Sequence, residues 1–455
     1  MHFSRIRGLN ENKNTSYNKY RLILISQICR YNAIKICFFL LKNRICQNIT
    51  PMKIIYLHQY FNTPKMNGGT RSYEIARRLA EVGHEVHIIS SYRENDRPTQ
   101  QSWVEKLQNF TVHWIVIPYS NKFSYSKRIL AFIRFAWAAS RKAYQIKGDI
   151  VFATSTPLTI ALPGIYASKR LKIPMVFEVR DLWPELPIAI GAIKNPLLIF
   201  WAKWLERLAY HNSSHIIALS PGMAEGIRLT GYSRRKITVI PNGADIELFS
   251  VNQTTKQDFL SRYPKLMAGP IILYAGTLGI INGVDYLVDI AAEMKHINPK
   301  IKFLIVGDGK ELHYIKKRAE EKKILNDNLL ILPPVAKNEM GSILSAVTVA
   351  TSLFIDIPEM WNNSANKFFD SMAAGKPIMI NYGGWQANLL KESGAGLVVP
   401  PNQPAIAADM LHKFMANDLG LEKAGFAAKH LAETQFNRNI LTKKLIAVLE
   451  TVISS

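Results

Sequence analysis

One segment of this chain places a lysine and a carboxylate where a helix is expected to begin. Residues 362–370 read NNSANKFFD, and Gly-Lys-Pro follows at 375–377. This order predicts a helix that starts with uncapped N–H groups, carries Lys367 in its first turn and stops before a strand. Such a helix end can hold a diphosphate through its dipole and Lys367, while Asp370 binds ribose hydroxyls. The alternative is a surface helix with an ion pair between Lys367 and Asp370.

Two glycine turns could let a ligand approach the backbone closely. Gly68 and Gly69 lie between the first predicted strand and a helix, whose N-terminus offers N–H groups to a phosphate or a sugar acceptor. The sequence 307–309, Gly-Asp-Gly, follows a strand of the second half, where small residues leave room for a nucleobase or ribose. Each turn by itself is also typical of an ordinary structural turn.

A third segment, EVRDLWPE at 178–185, concentrates charge at the carboxyl end of a predicted strand. It contains three carboxylates, the guanidinium of Arg180 and the indole of Trp183. Charged groups at that end of an open α/β sheet face the ligand cleft. Trp183 adds an aromatic platform typical of sugar contact, so we favour a binding role for the segment over a structural ion pair.

A parallel sheet must position these segments, because short apolar runs alternate with helical patterns from Lys53 onward. The alternation restarts after a polar stretch at 249–268, which predicts two α/β domains with a cleft between facing strand ends. We expect domains at 52–255 and 256–435, and a final helix within 436–455 that packs back on the first domain. The predicted strands are 53–57, 85–90, 150–153, 175–179, 215–219, 271–275, 302–306, 329–332, 347–352, 377–381 and 396–399.

Composition indicates a basic globular chain in a reducing compartment. The net charge of the 455 residues is +23, which favours an anionic partner, and +15 of it lies after residue 51. All three cysteines lie in the first fifty residues, and no uncharged apolar stretch of about 18 residues is present. We expect Met52 to be the biological start, with 1–51 a mis-assigned or disordered extension; a basic membrane-binding arm is the alternative.

Six segments together carry a family resemblance: Gly-Gly at 68–69, EVRDLWPE at 178–185, VIPNGADIELF at 239–249, YAGTLG at 274–279, VGDG at 306–309 and NKFFDSMAAGKP at 366–377. With them, residues 52 to about 440 resemble the family 4 glycosyltransferases. Within that family they are most similar to the fucosaminyltransferase-like enzymes of O-antigen, capsule and colanic acid synthesis.

The resemblance implies the GT-B fold, two Rossmann-like domains facing across a cleft, and a retaining, metal-independent transferase without a cofactor. A UDP- or GDP-sugar would bind mainly to the second domain, and a lipid-linked glycan acceptor to the first. Carried over residue by residue, the catalytic groups are Arg180, Asp181 and Lys367. The donor-binding residues are Gly68, Gly69, Gly276, Thr277, Gly307, Asp308, Gly309, Asn366 and Asp370, and the acceptor-binding residues are His58, Glu178 and Trp183.

Four positions depart from the family pattern. Asn362 replaces the first of two glutamates eight residues apart, Thr277 and Asn282 replace an arginine and a lysine, and Arg180 replaces a histidine. Neutralisation of the diphosphate then falls to Lys367, with help from Arg180 or Arg71. The alternatives to a transferase are a non-catalytic GT-B subunit that binds a nucleotide-sugar or glycan, and a GT-B sugar-nucleotide epimerase.

Two further helical stretches indicate contact with a membrane. Residues 119–147 contain seven basic residues and no acid, interleaved with Phe132, Phe135, Trp137 and Tyr144. A solvated helix is the closest alternative, and a nucleic-acid face is the least favoured. The stretch 187–210 is apolar around much of a helix and could receive a polyprenyl chain or pack in the core. We therefore expect a cytoplasmic protein, peripheral on the inner face of the cytoplasmic membrane and without a nucleic-acid partner.

Overall fold

The computed structural model describes residues 50–66, 68–92, 101–118, 123–249, 253–337 and 339–455. Residues 52–455 form one compact unit that contains two parallel sheets. The expected extension at 1–51, its three cysteines, Asn67 and Lys122 lie outside the described residues or at their edge.

The first domain is built on an eight-stranded sheet in the order β3-β4-β2-β1-β5-β6-β7-β8. All neighbouring strands are parallel except β3 and β4. The central strands are almost wholly buried because helices cover both faces, which explains their continuous apolar runs. The strands are Lys53–Leu57 (β1), Glu85–Tyr92 (β2), Ser102–Leu107 (β3), Phe110–Val116 (β4), Ile150–Thr154 (β5), Met175–Val179 (β6), His215–Ala218 (β7) and Ile237–Val239 (β8).

Capping residues begin several of the first-domain helices where the sequence provides them. Asn195 accepts hydrogen bonds from the backbone N–H groups of the first turn of one helix, and Ser220 does so for the next; a proline follows each cap. The helices are Arg71–Glu81 (α1), Tyr125–Ile146 (α2), Ala161–Leu171 (α3), Glu185–Ala189 (α4), Pro196–His211 (α5) and Pro221–Leu229 (α6). Helices α2, α3 and α5 pack on one face of the sheet, and α1 packs on the other.

The second domain has six parallel strands in the order β11-β10-β9-β12-β13-β14, the order of a nucleotide-binding Rossmann fold. The strands are Ile271–Ala275 (β9), Lys302–Val306 (β10), Leu329–Leu332 (β11), Val349–Ser352 (β12), Ile378–Ile380 (β13) and Gly396–Val398 (β14). The helices are Gln253–Arg262 (α7), Asp285–Ile297 (α8), Leu312–Glu321 (α9), Met340–Ala346 (α10), Asn366–Ala373 (α11), Trp385–Ser393 (α12), Pro404–Ala416 (α13), Asp418–Thr434 (α14) and Arg438–Ile453 (α15). The expected α/β class with two Rossmann-like domains is confirmed.

The last helix and the linker run between the two domains. Leu441, Leu445 and Leu449 of α15 lie in the same apolar core as β1, so α15 packs on the first domain. The expected boundary at 255/256 falls inside α7, and Phe259 of α7 is buried in the core of the second domain. Because α7 packs with the second sheet, the second domain begins before residue 256.

The sequence patterns missed three strands: β3, β4 and β8. Strand β3 alternates intermediate and exposed residues at the sheet edge, and β8 has three residues of intermediate burial, so neither has the buried apolar run used to identify strands. In the described part of the chain, no helix is long and apolar enough to cross a membrane.

Candidate functional site

The candidate site lies where the carboxyl ends of the two sheets approach each other. In open α/β sheets, ligands bind where the strand order reverses, here beside β1 in the first domain and β9 in the second. A Cβ atom placed on Gly69, after β1, would lie 2.8 Å from Nδ2 of Asn366 at the start of α11. The structure therefore brings two predicted donor-binding residues from different domains together across the cleft.

Lys367 is partly buried in this cleft and has no anionic partner among the described residues. Its ammonium donates a hydrogen bond to the Tyr274 hydroxyl at 3.0 Å and lies 4.4 Å and 4.9 Å from the ring centroids of Tyr274 and Phe354. Among the described residues no carboxylate lies within ion-pair distance of it. Burial lowers the pKa of Lys367 to about 7 because the aromatic surroundings do not compensate for the lost water. An anion entering the cleft would supply that compensation.

The start of α11 adds backbone donors beside this lysine. No side chain caps the helix at Ala365, as the sequence predicted. The preceding loop is held by the first-domain side, because Asn242 donates its backbone N–H to the Ser364 hydroxyl at 3.0 Å and its side-chain amide to the Ser364 carbonyl. The ion pair between Lys367 and Asp370 that the alternative, a plain surface helix, required is absent, since each side chain contacts other residues.

The predicted glycines of the second domain pack two loops against each other. A Cβ on Gly307 would lie 1.9 Å from the Gly276 carbonyl oxygen, and one on Gly309 would lie 2.1 Å from that of Leu278. These glycines therefore make room for the neighbouring backbone. Gly276 itself faces the cleft, since its Cβ would lie 3.8 Å from the Lys367 ammonium.

Two other predicted donor residues are placed near these loops. The Thr277 carbonyl accepts a hydrogen bond from the Tyr274 hydroxyl at 2.8 Å, so Thr277 helps to orient the ring beside Lys367. The exposed Asp308 accepts a hydrogen bond from the backbone N–H of Gly309 at 2.7 Å. Asn282, at the position of the family's lysine, is buried and adds no charge to the cleft.

Asp370 is not open to ribose in this structure. It is 7% exposed and forms an ion pair with Lys337, whose ammonium also lies 5.0 Å from the Phe249 ring centroid. Oxygen Oδ1 of Asp370 is shielded from solvent and has no hydrogen-bond partner. The predicted ribose contact therefore needs Asp370 to exchange Lys337 for a ligand. No sequence pattern pointed to Lys337 as a site residue.

Glu178 is a structural residue rather than an acceptor ligand. It is 0% exposed, receives hydrogen bonds from Arg71 at 3.1 and 2.8 Å, and accepts one from the Thr154 hydroxyl at 2.6 Å. Burial raises and Arg71 lowers the pKa of Glu178, and the net result lies below its usual value. Because Arg71 also bonds the Ile240 and Pro241 carbonyls, it is not available to a diphosphate.

The segment 239–249 joins the two domains through contacts with α1 and α15. Its Asp245 pairs with Arg78 of α1 at 2.5 Å and with Arg438 of α15 at 3.0 Å. A Cβ on Gly243 would lie 2.4 Å from the Phe436 carbonyl oxygen, so glycine allows the C-terminal segment to cross here. This family-like segment therefore holds α15 and the linker against the first domain.

His58 and Arg180 come together at the first-domain side of the cleft. The Arg180 guanidinium lies 3.2 Å from Nε2 of His58, which follows β1. Because a guanidinium can only donate, Nε2 accepts, and this contact favours the neutral imidazole. The two predicted residues thus form one unit, and Arg180 remains a cation beside the cleft.

Asp181 opens onto a cavity of about 560 Å³ between the domains, and the cavity wall also contains Asn362 and Asn363. Asp181 is exposed at the cavity opening, and desolvation by the protein atoms around its carboxyl raises its pKa to about 6, against the opposing effect of Arg180. Trp183 does not line this cavity and packs against the first-domain core. The predicted aromatic platform for a sugar is therefore not at this position.

Asn362 contacts the first domain where the family has a glutamate. Its backbone carbonyl accepts a hydrogen bond from the Ser220 hydroxyl at 2.7 Å, and a Cβ on Gly222 would lie 1.8 Å from its side-chain oxygen. The residue thus touches the start of α6 across the domain boundary.

Tyr274 and Phe354, which surround Lys367, were missed by the sequence analysis, because an aromatic residue at a strand end is typical of a protein core and does not by itself indicate a binding site.

Both halves of the chain are similar to known glycosyltransferases. The profile of Glycosyltransferase Family 4 matches residues 68–248, and that of Glycosyl transferases group 1 matches 256–430. "Probable glycosyltransferase WbjE" of Pseudomonas aeruginosa is 23% identical over 74% of this chain and 84% of its own length. The "UDP-Gal:alpha-D-GlcNAc-diphosphoundecaprenol alpha-1,3-galactosyltransferase" of Escherichia coli is 24% identical over 56% of this chain and 63% of its own. The crystal structure of Anabaena Alr3699/HepE in complex with UDP and glucose superposes with a TM-score of 0.68 at 17% identity, covering 88% of this chain and all of that one.

Proposed function

Since this chain belongs to the family 4 glycosyltransferases of the GT-B fold, we propose that it transfers a sugar from a UDP-sugar to a lipid-linked glycan acceptor, with retention at the anomeric carbon. The reaction would serve cell-surface polysaccharide synthesis. UDP is favoured over GDP because the Anabaena structure contains UDP, and a lipid-linked acceptor is favoured because the E. coli relative's name specifies one.

The observation that carries the proposal is the partly buried ammonium of Lys367, which has no carboxylate partner in the described part of the chain and lies at the uncapped start of α11. A diphosphate at this position would receive a cation, helix N–H groups and the favourable end of the helix dipole. These groups act most strongly when negative charge develops on the leaving diphosphate and the sugar gains oxocarbenium-like character. The proposed reaction uses Lys367 at the diphosphate instead of a metal ion and needs no enzymic nucleophile.

Asp181 is our candidate for receiving the proton of the acceptor hydroxyl. Its carboxyl opens to the cavity, and its raised pKa of about 6 brings it nearer to the strength of a useful base at neutral pH. Arg180, adjacent in sequence and bonded to His58, would stabilise the ionised form. The first domain thus supplies the acceptor side and the second domain the donor side.

The activity test measures UDP release from a panel of UDP- and GDP-sugars, with and without a bacterial polyprenyl-diphosphate glycan extract. We expect release that requires both one UDP-sugar and the extract, together with a radiolabelled lipid product. Release without acceptor would instead support an epimerase or hydrolase. Binding of a donor without turnover would support the non-catalytic subunit.

Three neighbouring first-domain helices support the proposed membrane contact. Helices α2, α3 and α5 contain exposed apolar side chains, including Trp137 at 64% exposure on α2 and Trp201 on α5. Their only acidic residue is the buried Glu206, whereas basic side chains lie between the aromatics. Phe135, expected among the membrane aromatics, is buried in the core instead. An apolar and basic face of this kind matches an anionic lipid surface.

Liposome sedimentation tests this face separately from activity. We expect binding to anionic vesicles that falls with salt, and a marked loss of binding for Trp137→Ala combined with Trp201→Ala. The matched control is Phe426→Ala, since Phe426 is 75% exposed on α14 of the second domain. Equal binding to neutral vesicles would exclude a role for the basic side chains, and an equal loss with the control would exclude the membrane role of this face.

A further inference from the structure

The cavity beside Asp181 is lined by further charged side chains that have no role in the proposed reaction. Its walls come from α4, α5 and α6 of the first domain and from residues 358–363 of the second. Leucine, methionine and proline side chains form much of the lining, and charged groups project among them, which is typical of a small-molecule site. The carboxylates outnumber the cations; they are Asp181, Glu185, Glu206, Glu225 and Glu359, against Lys203 and Arg207.

Two of these carboxylates, Glu185 and Glu206, line the cavity without a direct ion pair to a described residue. Glu206 on α5 is 3% exposed, and its neighbour is the buried Tyr210 hydroxyl. Oxygen Oε2 of Glu185 on α4 is shielded from solvent and has no hydrogen-bond partner. Neither forms an ion pair with any residue that the structure describes, whereas Glu225 pairs with Arg228. Burial and the nearby Glu185 raise the pKa of Glu206 to about 7.

The shielded Oε2 of Glu185 is costly to leave without a hydrogen bond, and a ligand can supply one. Glu206 already hydrogen-bonds with the Tyr210 hydroxyl, and its carboxyl can accept further hydrogen bonds. Sugar hydroxyls are suitable donors, because each ionised carboxylate accepts several hydrogen bonds. An anionic sugar such as a uronate would instead meet like charges in a space of low dielectric constant. The lining therefore selects by charge as well as by shape.

We infer that this cavity is the subsite for the terminal sugar of the acceptor, and that this sugar is uncharged, with hydroxyls that donate to Glu185 and Glu206. The inference rests on the proposed transferase function and specifies its acceptor. The neighbouring surface of α5 offers contacts for the phosphate linker and the lipid of the acceptor. Lys203 and Arg207 line the cavity edge where a phosphate linker would pass, and Trp201 and Trp204 lie exposed on the same helix for the lipid.

The test uses hexyl β-glycosides of glucose, galactose and N-acetylglucosamine as neutral probes, and hexyl β-glucuronide and galacturonide as anionic probes. Binding to the full chain is followed by saturation-transfer NMR and titration. We expect at least one neutral glycoside to bind, and to bind at least tenfold more tightly than either uronide. Binding of no probe, or uronides that bind as tightly as the neutral glycosides, would overturn the inference.

Isosteric variants locate the effect in the cavity. Glu185→Gln and Glu206→Gln retain side-chain shape, and we expect each to weaken neutral-probe binding about tenfold and to reduce discrimination against the uronides. The control is Glu422→Gln, an exposed residue on α14 that changes charge equally. If the variants bind and discriminate as the control does, the subsite assignment is wrong.

The donor assay separates this inference from the proposed function. If the protein transfers sugar normally but does not bind neutral glycosides more tightly than uronides, only the subsite assignment is wrong. If the protein binds neutral glycosides selectively but releases no UDP with any acceptor, the transferase assignment is wrong and the cavity is still a glycan-binding site. Unchanged melting temperatures of the two glutamine variants show that any loss of binding does not arise from unfolding.

Discussion

Replacing Lys367 with methionine removes the ammonium but keeps a side chain of similar length in the pocket formed by Tyr274 and Phe354. The shift in its pKa from 10.5 to about 7 means that burying the charge costs roughly 5 kcal/mol, at about 1.4 kcal/mol per pH unit. A diphosphate that restores the ordinary pKa recovers this free energy, which sets an upper limit on the stabilisation Lys367 provides. Removal of one preorganised donor typically costs about 2.7–4 kcal/mol in the transition state.

We therefore expect Lys367→Met to lower kcat about 10²- to 10³-fold, measured as acceptor-dependent UDP release at saturating donor. Lys391→Met is the matched control, because Lys391 is an exposed lysine on α12 of the same domain. A loss below tenfold, or an equal loss in the control, would refute the role of Lys367 at the diphosphate.

The pH dependence gives an independent check on the same reasoning. The free enzyme needs Lys367 protonated, and its pKa of about 7 means that the neutral form dominates at higher pH. We expect kcat/KM for the donor to fall as pH rises above about 7, and kcat to fall only at higher pH because the bound diphosphate raises the pKa. In Lys367→Arg the guanidinium stays charged, so the alkaline decrease in kcat/KM should disappear. A wild-type profile that is flat from pH 6 to 9 would contradict this account.

Three further variants test the assignments corrected by the structure. Glu178→Ala leaves the Arg71 guanidinium buried and unpaired, so we expect the free energy of unfolding to fall by about 3–5 kcal/mol in urea titrations; a loss under 1 kcal/mol would contradict the structural role. Gly307→Ala places a Cβ 1.9 Å from the Gly276 carbonyl, and we expect a lower melting temperature and at least a tenfold higher donor KM as the loop moves; wild-type values for both would show that the loops tolerate the methyl group. Asp370→Asn removes the charge facing Lys337, and we expect lower stability with donor KM changed less than threefold; a tenfold rise in KM without loss of stability would restore the ribose role.

The fold could be predicted largely from the sequence, because a parallel strand covered by helices on both faces of the sheet must be apolar at nearly every position. Strands β1, β6, β9, β10 and β11 begin and end where the runs predicted, since polar turns and helix starts interrupt the pattern sharply. The edge strands β3 and β8 escaped detection because a half-buried or short strand needs no such run. Helix α11 and its uncapped start were also predictable, because they depend on residues adjacent in the chain.

The sequence by itself determined which chemical groups this protein contains and which strand ends carry them. Only the tertiary structure decided their partners: Lys367 lies unpaired against two aromatic rings, Asp370 is occupied by Lys337, and Glu178 is neutralised by Arg71. Tyr274, Lys337 and Arg71 lie 93, 33 and 107 residues away from the side chains they contact, so local pattern cannot reveal these contacts. The sequence does not show whether a carboxylate binds a ligand or a buried guanidinium. That role depends on the burial of the side chain and on which charged group the fold places beside it.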